Sequence, residues 1–304
     1  MVDGTAWLFP GQGSQSVGMG KTLAATYQTA AAVFASADKT LQFSVSSLCW
    51  DGPAEELTRT ANQQPALVTT SIAMARVLAE AGRLGTPDYV AGHSLGEYSA
   101  LVAAGALAFE DALRLVRRRG ELMEQHGPGG MLAIIGLDDE AAQLIANETG
   151  VEVANYNSPG QVTLSGTEEA LQVAQLAAAT RGARRVIRLP VSGAFHSSLM
   201  APVAEALAPF IAETEFNTPL APLVTNVDAT PITHPDDIRR ELVDQIAHSV
   251  QWVRVVETML RAGVTQAIEI GPGNVLAGLA RRIDRALNVT TADQALADVE
   301  SAHV

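Results

Sequence analysis

YVAGHSLG, residues 89–96, is the stretch that predicts the fold of this 304-residue chain most directly. Tyr89–His93 is apolar and predicts a buried strand, and the small residues of Leu95–Ala104 predict a helix directly after it. Between them lies a Gly-X-Ser-X-Gly motif, which in this strand–turn–helix context displays a serine hydroxyl on a sharp turn. The backbone N–H of Leu95 lies at the N-terminus of the predicted helix and can point at a developing oxyanion. Ser94 is therefore the candidate nucleophile for acyl chemistry.

Strand-like and helical segments alternate on both sides of this motif. Predicted strands are Thr5–Phe9, Leu223–Asn226 and Gln266–Ile270. Predicted helices are Pro65–Gly82, Asp111–Gln125, Ala201–Ala212 and Gln251–Ala262, and the tail after Asp293 is expected to be frayed. The alternation predicts an α/β fold, with a mostly parallel sheet covered by helices on both faces, and we expect its large domain to be α/β-hydrolase-like.

A second pattern begins after the breaker cluster at residues 126–130. Strand and helix signals follow in the order βαββαβ, which is typical of ferredoxin-like domains. We therefore predict a small ferredoxin-like domain at 127–194, inserted into a large catalytic domain formed by 1–126 and 195–304.

Composition restricts the class of protein. The formal net charge is −13, which argues against a nucleic-acid partner, because phosphate contacts need clustered Lys and Arg. No apolar stretch reaches the roughly 20 residues that span a bilayer, and no signal peptide is visible. The only cysteine, Cys49, gives no sign of an oxidising compartment. We expect a cytoplasmic, monomeric protein with no metal.

A serine nucleophile needs a base, because its hydroxyl is nearly inert at neutral pH. His196 lies where the chain returns from the small domain, so it would face the cleft between the domains. His93 is expected to point away from the serine, and we expect the other histidines to be solvated: His126, His234, His248 and His303. Position alone leaves the role of His196 open. The glycine-rich Phe9–Gln15 after the first strand can present N–H groups to a ligand, or it is an ordinary tight turn.

Arg119 lies on the apolar face of the helix predicted at Asp111–Gln125. Its neighbours three and four residues away are apolar, namely Leu115, Val116, Leu122 and Met123. A buried charge is costly unless it is paired. Arg119 is therefore either a clamp for a substrate carboxylate or one partner of an internal salt bridge.

As a set, these motifs resemble the malonyl-CoA:acyl carrier protein transacylases of fatty acid synthesis and the related acyltransferase domains of polyketide synthases. The matching stretches include Phe9–Gln15, Gln63–Ala66, Gly92–Ala100, Asn157–Gln161, Gly193–Met200, Val250–Trp252 and Glu269–Gly273. They extend from residue 9 to about residue 280.

The resemblance implies a role for each site residue. Ser94 would carry the acyl group, His196 would be its base and acid, and the N–H groups of Gln12 and Leu95 would form the oxyanion hole. Arg119 would bind the malonyl carboxylate, Gln64 would line the substrate site, and a backbone carbonyl that maps to Gln251 would orient the histidine. Leu95 and Phe195 resemble malonyl-selective members, because methylmalonyl-selective domains tend to carry Gln and Ser there.

The resemblance also implies malonyl-CoA and an acyl carrier protein as partners, in a ping-pong transfer without a bound cofactor. Arg184 and Arg185 are predicted to help dock the acidic carrier, although a solvated charged strand is the alternative. A stand-alone acyltransferase of a polyketide line is not separated from this interpretation. A serine thioesterase would share Ser94 and His196 but would have no use for Arg119. A non-catalytic subunit is disfavoured, because all the expected reactive residues are present.

Overall fold

Helices and strands alternate through residues 4–126 and 129–301, the residues that the structure, a computed structural model, describes. The strands are β1 (Gly4–Phe9), β2 (Tyr89–Gly92), β3 (Gly130–Ile135), β4 (Glu152–Ser158), β5 (Gln161–Gly166), β6 (Arg185–Arg188), β7 (Leu223–Val224), β8 (Pro231–Ile232), β9 (Val264–Glu269) and β10 (Asn288–Thr291). The helices are α1 (Lys21–Thr26), α2 (Gln28–Leu41), α3 (Val45–Asp51), α4 (Ala54–Thr58), α5 (Thr60–Glu80), α6 (Gly96–Ala103), α7 (Phe109–Gln125), α8 (Asp139–Thr149), α9 (Glu168–Thr180), α10 (Ala201–Glu213), α11 (Pro235–Asp244), α12 (Trp252–Arg261), α13 (Val275–Ile283) and α14 (Ala292–Ser301).

The larger sheet has the strand order β10-β9-β1-β2-β7-β8 and is parallel except at β8. Residues of β1 alternate between two cores: Trp7 and Phe9 pack on one face, and Ala6 and Leu8 on the other. A parallel sheet covered by helices on both faces was predicted from the alternation of elements, and the structure confirms it. Phe9 pairs with Gly92, so the loops that follow β1 and β2 lie side by side at the carboxyl edge.

The smaller sheet is antiparallel, with the order β4-β5-β3-β6. Its strands and helices follow one another as βαββαβ, the predicted order, and α8 and α9 pack on it around their own apolar cluster. Gly127 and Pro128, at one predicted domain boundary, lie outside the described residues, as does His303. The boundaries themselves stay a prediction.

Two elements differ from the predictions. Helix α5 begins at Thr60 rather than at Pro65. Pro65 has no N–H to donate to the carbonyl of Ala61, and the Arg117 guanidinium donates to that carbonyl instead (3.1 Å). The predicted frayed tail is wrong as far as the described residues go, because α14 continues to Ser301 and Leu296 packs in the core. None of the described helices is both long and apolar enough to cross a membrane.

Candidate active site

The turn at Ser94 is tight because two backbone segments pass through the space that side chains would fill. A Cβ on Gly92 would lie 1.9 Å from the carbonyl carbon of Gly96, and one on Gly96 would lie 2.1 Å from the carbonyl oxygen of Phe9. Both motif glycines are therefore required by close approach. Ser94 itself adopts a left-handed conformation, with φ of 51°, which is unfavourable for a residue with a side chain.

Ser94 and His196 form a nucleophile–base pair. The Ser94 hydroxyl oxygen lies 2.7 Å from His196 Nε2, although the two residues are 102 positions apart. His196 Nδ1 lies 2.7 Å from the carbonyl of Gln245 and 3.2 Å from that of His248. Because carbonyls only accept hydrogen bonds, Nδ1 carries the proton and Nε2 is free to accept the serine proton.

The prediction that the Gln251 carbonyl orients His196 is wrong. That carbonyl accepts the N–H of Val255 and begins α12. The orienting carbonyls belong to Gln245, which directly follows α11, and to His248 in the turn after it. The last carbonyls of a helix lack intrahelical partners. Every residue type supplies such a carbonyl, so the sequence carries no marker for it. The side chain of His248 is exposed, as predicted, and only its backbone enters the site.

Electrostatics keep the base neutral. Burial and, secondarily, the positive charge of Arg119 lower the pKa of His196 to about 3, against an opposing effect of its carbonyl contacts. An imidazole with this pKa is unprotonated at physiological pH and can take the proton from Ser94. His93 does not compete for Ser94, because its Nε2 lies 2.8 Å from the side-chain oxygen of Asn157 on β4.

Arg119 is fully buried beside the nucleophile, and it takes part in no ion pair within the described part of the chain. One terminal nitrogen donates to the Ser94 hydroxyl (3.1 Å) and to the Gln245 side-chain oxygen (2.9 Å), and the other donates to Gln64 (3.0 Å). All three acceptors are neutral. Burial lowers the pKa of the guanidinium, and its Nε has no partner among the described residues. The sequence left two roles open for Arg119, a substrate clamp or an internal salt bridge. The described contacts contain no internal salt bridge to Arg119.

The remaining predicted residues also lie around Ser94. Gln12 follows β1, in the loop that adjoins the Ser94 turn, and its side chain donates to Gln63 (2.5 Å). Leu95 is the residue directly before α6, and Phe195 is buried next to His196. In contrast, Arg184 and Arg185 lie at the start of β6, in the small unit formed by the smaller sheet with α8 and α9. Within residues 4–126 and 129–301, no cluster of His, Cys, Asp and Glu is placed to hold a metal.

A strained serine bonded to a buried neutral histidine, at the carboxyl edge of a parallel sheet, defines an enzyme that works through a serine ester. Residues 6–295 match the family model described as the acyl transferase domain, and the chain belongs to this family of acyltransferases. Malonyl CoA-acyl carrier protein transacylase of Bacillus subtilis is 47% identical over 290 residues, covering 93% of this chain and 91% of that protein. The Escherichia coli K12 protein of the same name is 47% identical over 285 residues, covering 91% and 92%.

Solved structures show the same fold. The acyl-carrier-protein S-malonyltransferase of Burkholderia pseudomallei superposes with a TM-score of 0.94 at 41% identity, covering 98% of this chain and 99% of that one. A malonyl-transacylase solved in complex with a type II polyketide synthase acyl-carrier protein gives 0.92 at 41% identity, covering 98% and 100%.

Proposed function

We propose that the protein moves a malonyl group from coenzyme A to the phosphopantetheine thiol of an acyl carrier protein, in fatty acid synthesis, through an ester on Ser94. The observation that carries this proposal is the buried Arg119, whose acceptors are all neutral, 3.1 Å from the Ser94 hydroxyl. A desolvated guanidinium attracts a carboxylate strongly, and its planar fork fits one in bidentate fashion. An acyl group that ends in a carboxylate therefore suits the site better than acetyl.

The chemistry follows from the contacts. His196 Nε2 takes the Ser94 proton as the hydroxyl oxygen attacks the thioester carbonyl, and the N–H groups of Gln12 and Leu95 stabilise the oxyanion. Collapse breaks the C–S bond, and His196 returns the proton to the departing CoA thiolate. In the second half-reaction the carrier thiol gives its proton to His196 and attacks the ester, and Ser94 leaves as the alcohol with that proton. Phe195 limits the room beside C2 of malonyl, and Gln64 holds Arg119 in place.

The carrier is proposed to dock along one end of the smaller sheet. Ile135 of β3 pairs with Arg185 on one side and with Gln161 on the other, and Arg282 of α13 donates to Gln161 (2.5 Å). Arginines from both units therefore share this end. Arg181 and Arg188 are paired with Glu148 and Glu168, whereas in the described residues Arg184 and Arg185 take part in no ion pair. They remain available to an acidic partner.

Reversing the charges of Arg184 and Arg185 tests whether they dock the carrier. The Arg184→Glu/Arg185→Glu double variant should raise KM for the carrier and flatten its salt dependence, while loading from malonyl-CoA is unchanged. The control is Arg114→Glu/Arg240→Glu, which changes the net charge equally at ion-paired positions of the larger unit. If both double variants behave alike, Arg184 and Arg185 do not dock the carrier.

Loading of the serine tests the function itself. Mass spectrometry of the intact enzyme after mixing with malonyl-CoA should show one malonyl adduct, which is absent in Ser94→Ala, and little adduct from acetyl-CoA. Equal loading from both thioesters, or release of free acid alone, would indicate a thioesterase. Transfer assays with carriers of fatty acid and polyketide lines then separate those two pathways.

We also propose a domain architecture and a cellular location for the protein. The βαββαβ order supports a ferredoxin-like small domain inserted into a hydrolase-like large one. The single buried Cys49 supports a cytoplasmic location. We further propose a monomer that needs no cofactor of its own.

A further inference from the structure

Ser94 does not hold its backbone conformation without support. A left-handed conformation in a residue with a side chain persists only where the surroundings over-determine it. The two glycines of the motif allow the turn but donate nothing from side chains. Some other group has to fix the peptide units on either side of Ser94.

Asn226 supplies that support from just beyond β7, the strand that pairs with β2. Its side-chain oxygen accepts the N–H of Ser94 (2.6 Å), and its side-chain nitrogen donates to the carbonyl of Gly92 (2.7 Å). The amide is fully buried, and only one orientation satisfies both contacts, because Ser94 offers a donor and Gly92 an acceptor. One side chain therefore spans the turn from the residue before His93 to the nucleophile.

The backbone of Asn226 is fixed as firmly as its side chain. Its N–H lies 2.8 Å from a carboxyl oxygen of Glu97 and 2.9 Å from one of Glu241, and its carbonyl accepts the N–H of Gln251 (2.8 Å). Glu97 comes from α6 and Glu241 from α11, and both are buried. Every polar group of Asn226 thus has a partner, and the residue cannot turn away from Ser94.

A second amide holds the other side of the serine. The Gln245 side-chain nitrogen donates to the Ser94 carbonyl (3.2 Å) and to the second carboxyl oxygen of Glu97 (2.9 Å). Glu97 therefore connects Asn226, through its backbone N–H, with Gln245, through its side-chain amide, and these two residues hold the N–H and the carbonyl of Ser94. Arg119 and His196 are not among the described contacts of Asn226.

We propose that Asn226 is a positioning residue that fixes the Ser94 hydroxyl for attack by holding the peptide units on both sides of His93. The inference rests on the proposed role of Ser94 as the acylated residue. Because both side-chain contacts of Asn226 are to the backbone of the Ser94 turn, its loss lowers the rate of acylation and leaves KM for malonyl-CoA unchanged. A small displacement of a nucleophile costs on the order of 100-fold in rate.

Asn226→Ala tests the loss of both contacts. Acylation by malonyl-CoA, followed in single turnovers, should slow on the order of 10–100-fold with KM unchanged. The matched control is Thr225→Val, which removes hydrogen bonds to Thr230 in the same segment without touching Ser94. A folded Asn226→Ala that acylates at the control's rate, or whose loss is confined to KM, would overturn the inference.

Asn226→Asp provides a second, pH-dependent test if Asn226→Ala fails to fold. A protonated aspartic acid reproduces both contacts, since its O–H donates to Gly92 and its C=O accepts from Ser94, whereas the ionised form loses the donor. The titratable and charged groups around this position are Glu97, Glu241, Asp228 and His93, with Arg119 and the neutral His196 beyond Ser94. Acids dominate the nearest shell, and with burial they favour the protonated form.

The activity of Asn226→Asp relative to the unmodified enzyme should therefore fall as pH rises. At the acid end of the range the two activities should be nearly equal. A ratio that does not change with pH would overturn the inference. Failure of the proposed function is distinguishable, because the unmodified enzyme would then form no malonyl adduct on Ser94. If that adduct forms and the Asn226 variants match Thr225→Val, only the positioning role is lost.

Discussion

Replacing Arg119 with methionine separates recognition of the acyl group from the acyl chemistry. The substitution keeps the buried volume roughly filled but removes the donors that face Ser94, Gln64 and Gln245. A bidentate carboxylate contact contains two charge-assisted hydrogen bonds, and each contributes about 1.5–3 kcal/mol. Transition-state binding of malonyl-CoA should weaken by at least about 3 kcal/mol, which is on the order of 100-fold in kcat/KM.

The same variant should change the pH dependence in a defined direction. The charge of Arg119 contributes to the low pKa of His196, so removing it raises that pKa towards its ordinary value. The acid limb of kcat/KM, measured with acetyl-CoA because this substrate does not need the arginine, should therefore move to higher pH.

The assay compares kcat/KM for malonyl-CoA and acetyl-CoA in Arg119→Met and in Arg118→Met. Arg118 directly precedes Arg119 on α7, is partly exposed and pairs with Glu121 (3.7 Å), so its loss should leave the ratio of the two substrates unchanged. Equal losses for both substrates in Arg119→Met would refute the clamp, and an acid limb that stays in place would refute the electrostatic coupling to His196.

Three further predictions concern other parts of the structure. Gly96→Ala should abolish Ser94 loading, because its Cβ would lie 2.1 Å from the Phe9 carbonyl oxygen, whereas Gly278→Ala in α13, whose Cβ meets nothing within 4 Å, should keep the activity. Burial raises the pKa of Cys49 to about 12, so iodoacetamide should label it only in denaturant, and labelling of the native protein would contradict its placement. Burial also raises the pKa of Glu241 to about 7, so its protonated form favours folding, and that contribution to the free energy of unfolding is lost as pH rises from about 4.5 to 7. In urea titrations, Glu241→Gln should therefore lose less stability than the unmodified protein over that pH range. An equal loss of stability in both proteins would contradict this assignment.

The nucleophile and the arginine were predictable because their signals are local. Gly92 and Gly96 lie on either side of Ser94 in one short motif, and a strand and a helix flank that motif in sequence as in space, although the contact that excludes a Cβ at Gly96 is with Phe9 of β1. Arg119 was marked by apolar neighbours three and four positions away, and it is fully buried on α7. Helical and strand periodicity likewise predicted the parallel sheet and the βαββαβ unit.

The groups that hold these residues in place were not predictable in the same way. The carbonyl of Gln245 comes from the end of a helix, and the side chain of Asn226 reaches Ser94 from 132 positions away. Neither contact leaves a pattern of spacing or composition, because each depends on how separate elements meet in the folded chain. The Gln251 assignment was wrong for this reason: it depended on aligning a backbone group that has no residue preference.

The most direct test of transfer through Ser94 is to isolate the malonyl-enzyme, free of coenzyme A, and to add the holo carrier protein. We predict that malonyl leaves Ser94 and appears on the carrier thiol in equal amount, and that His196→Ala, loaded at the serine by long incubation, transfers it far more slowly. Release of free malonate without loading of the carrier, or a carrier acylated only when coenzyme A is present, would contradict transfer through a Ser94 ester.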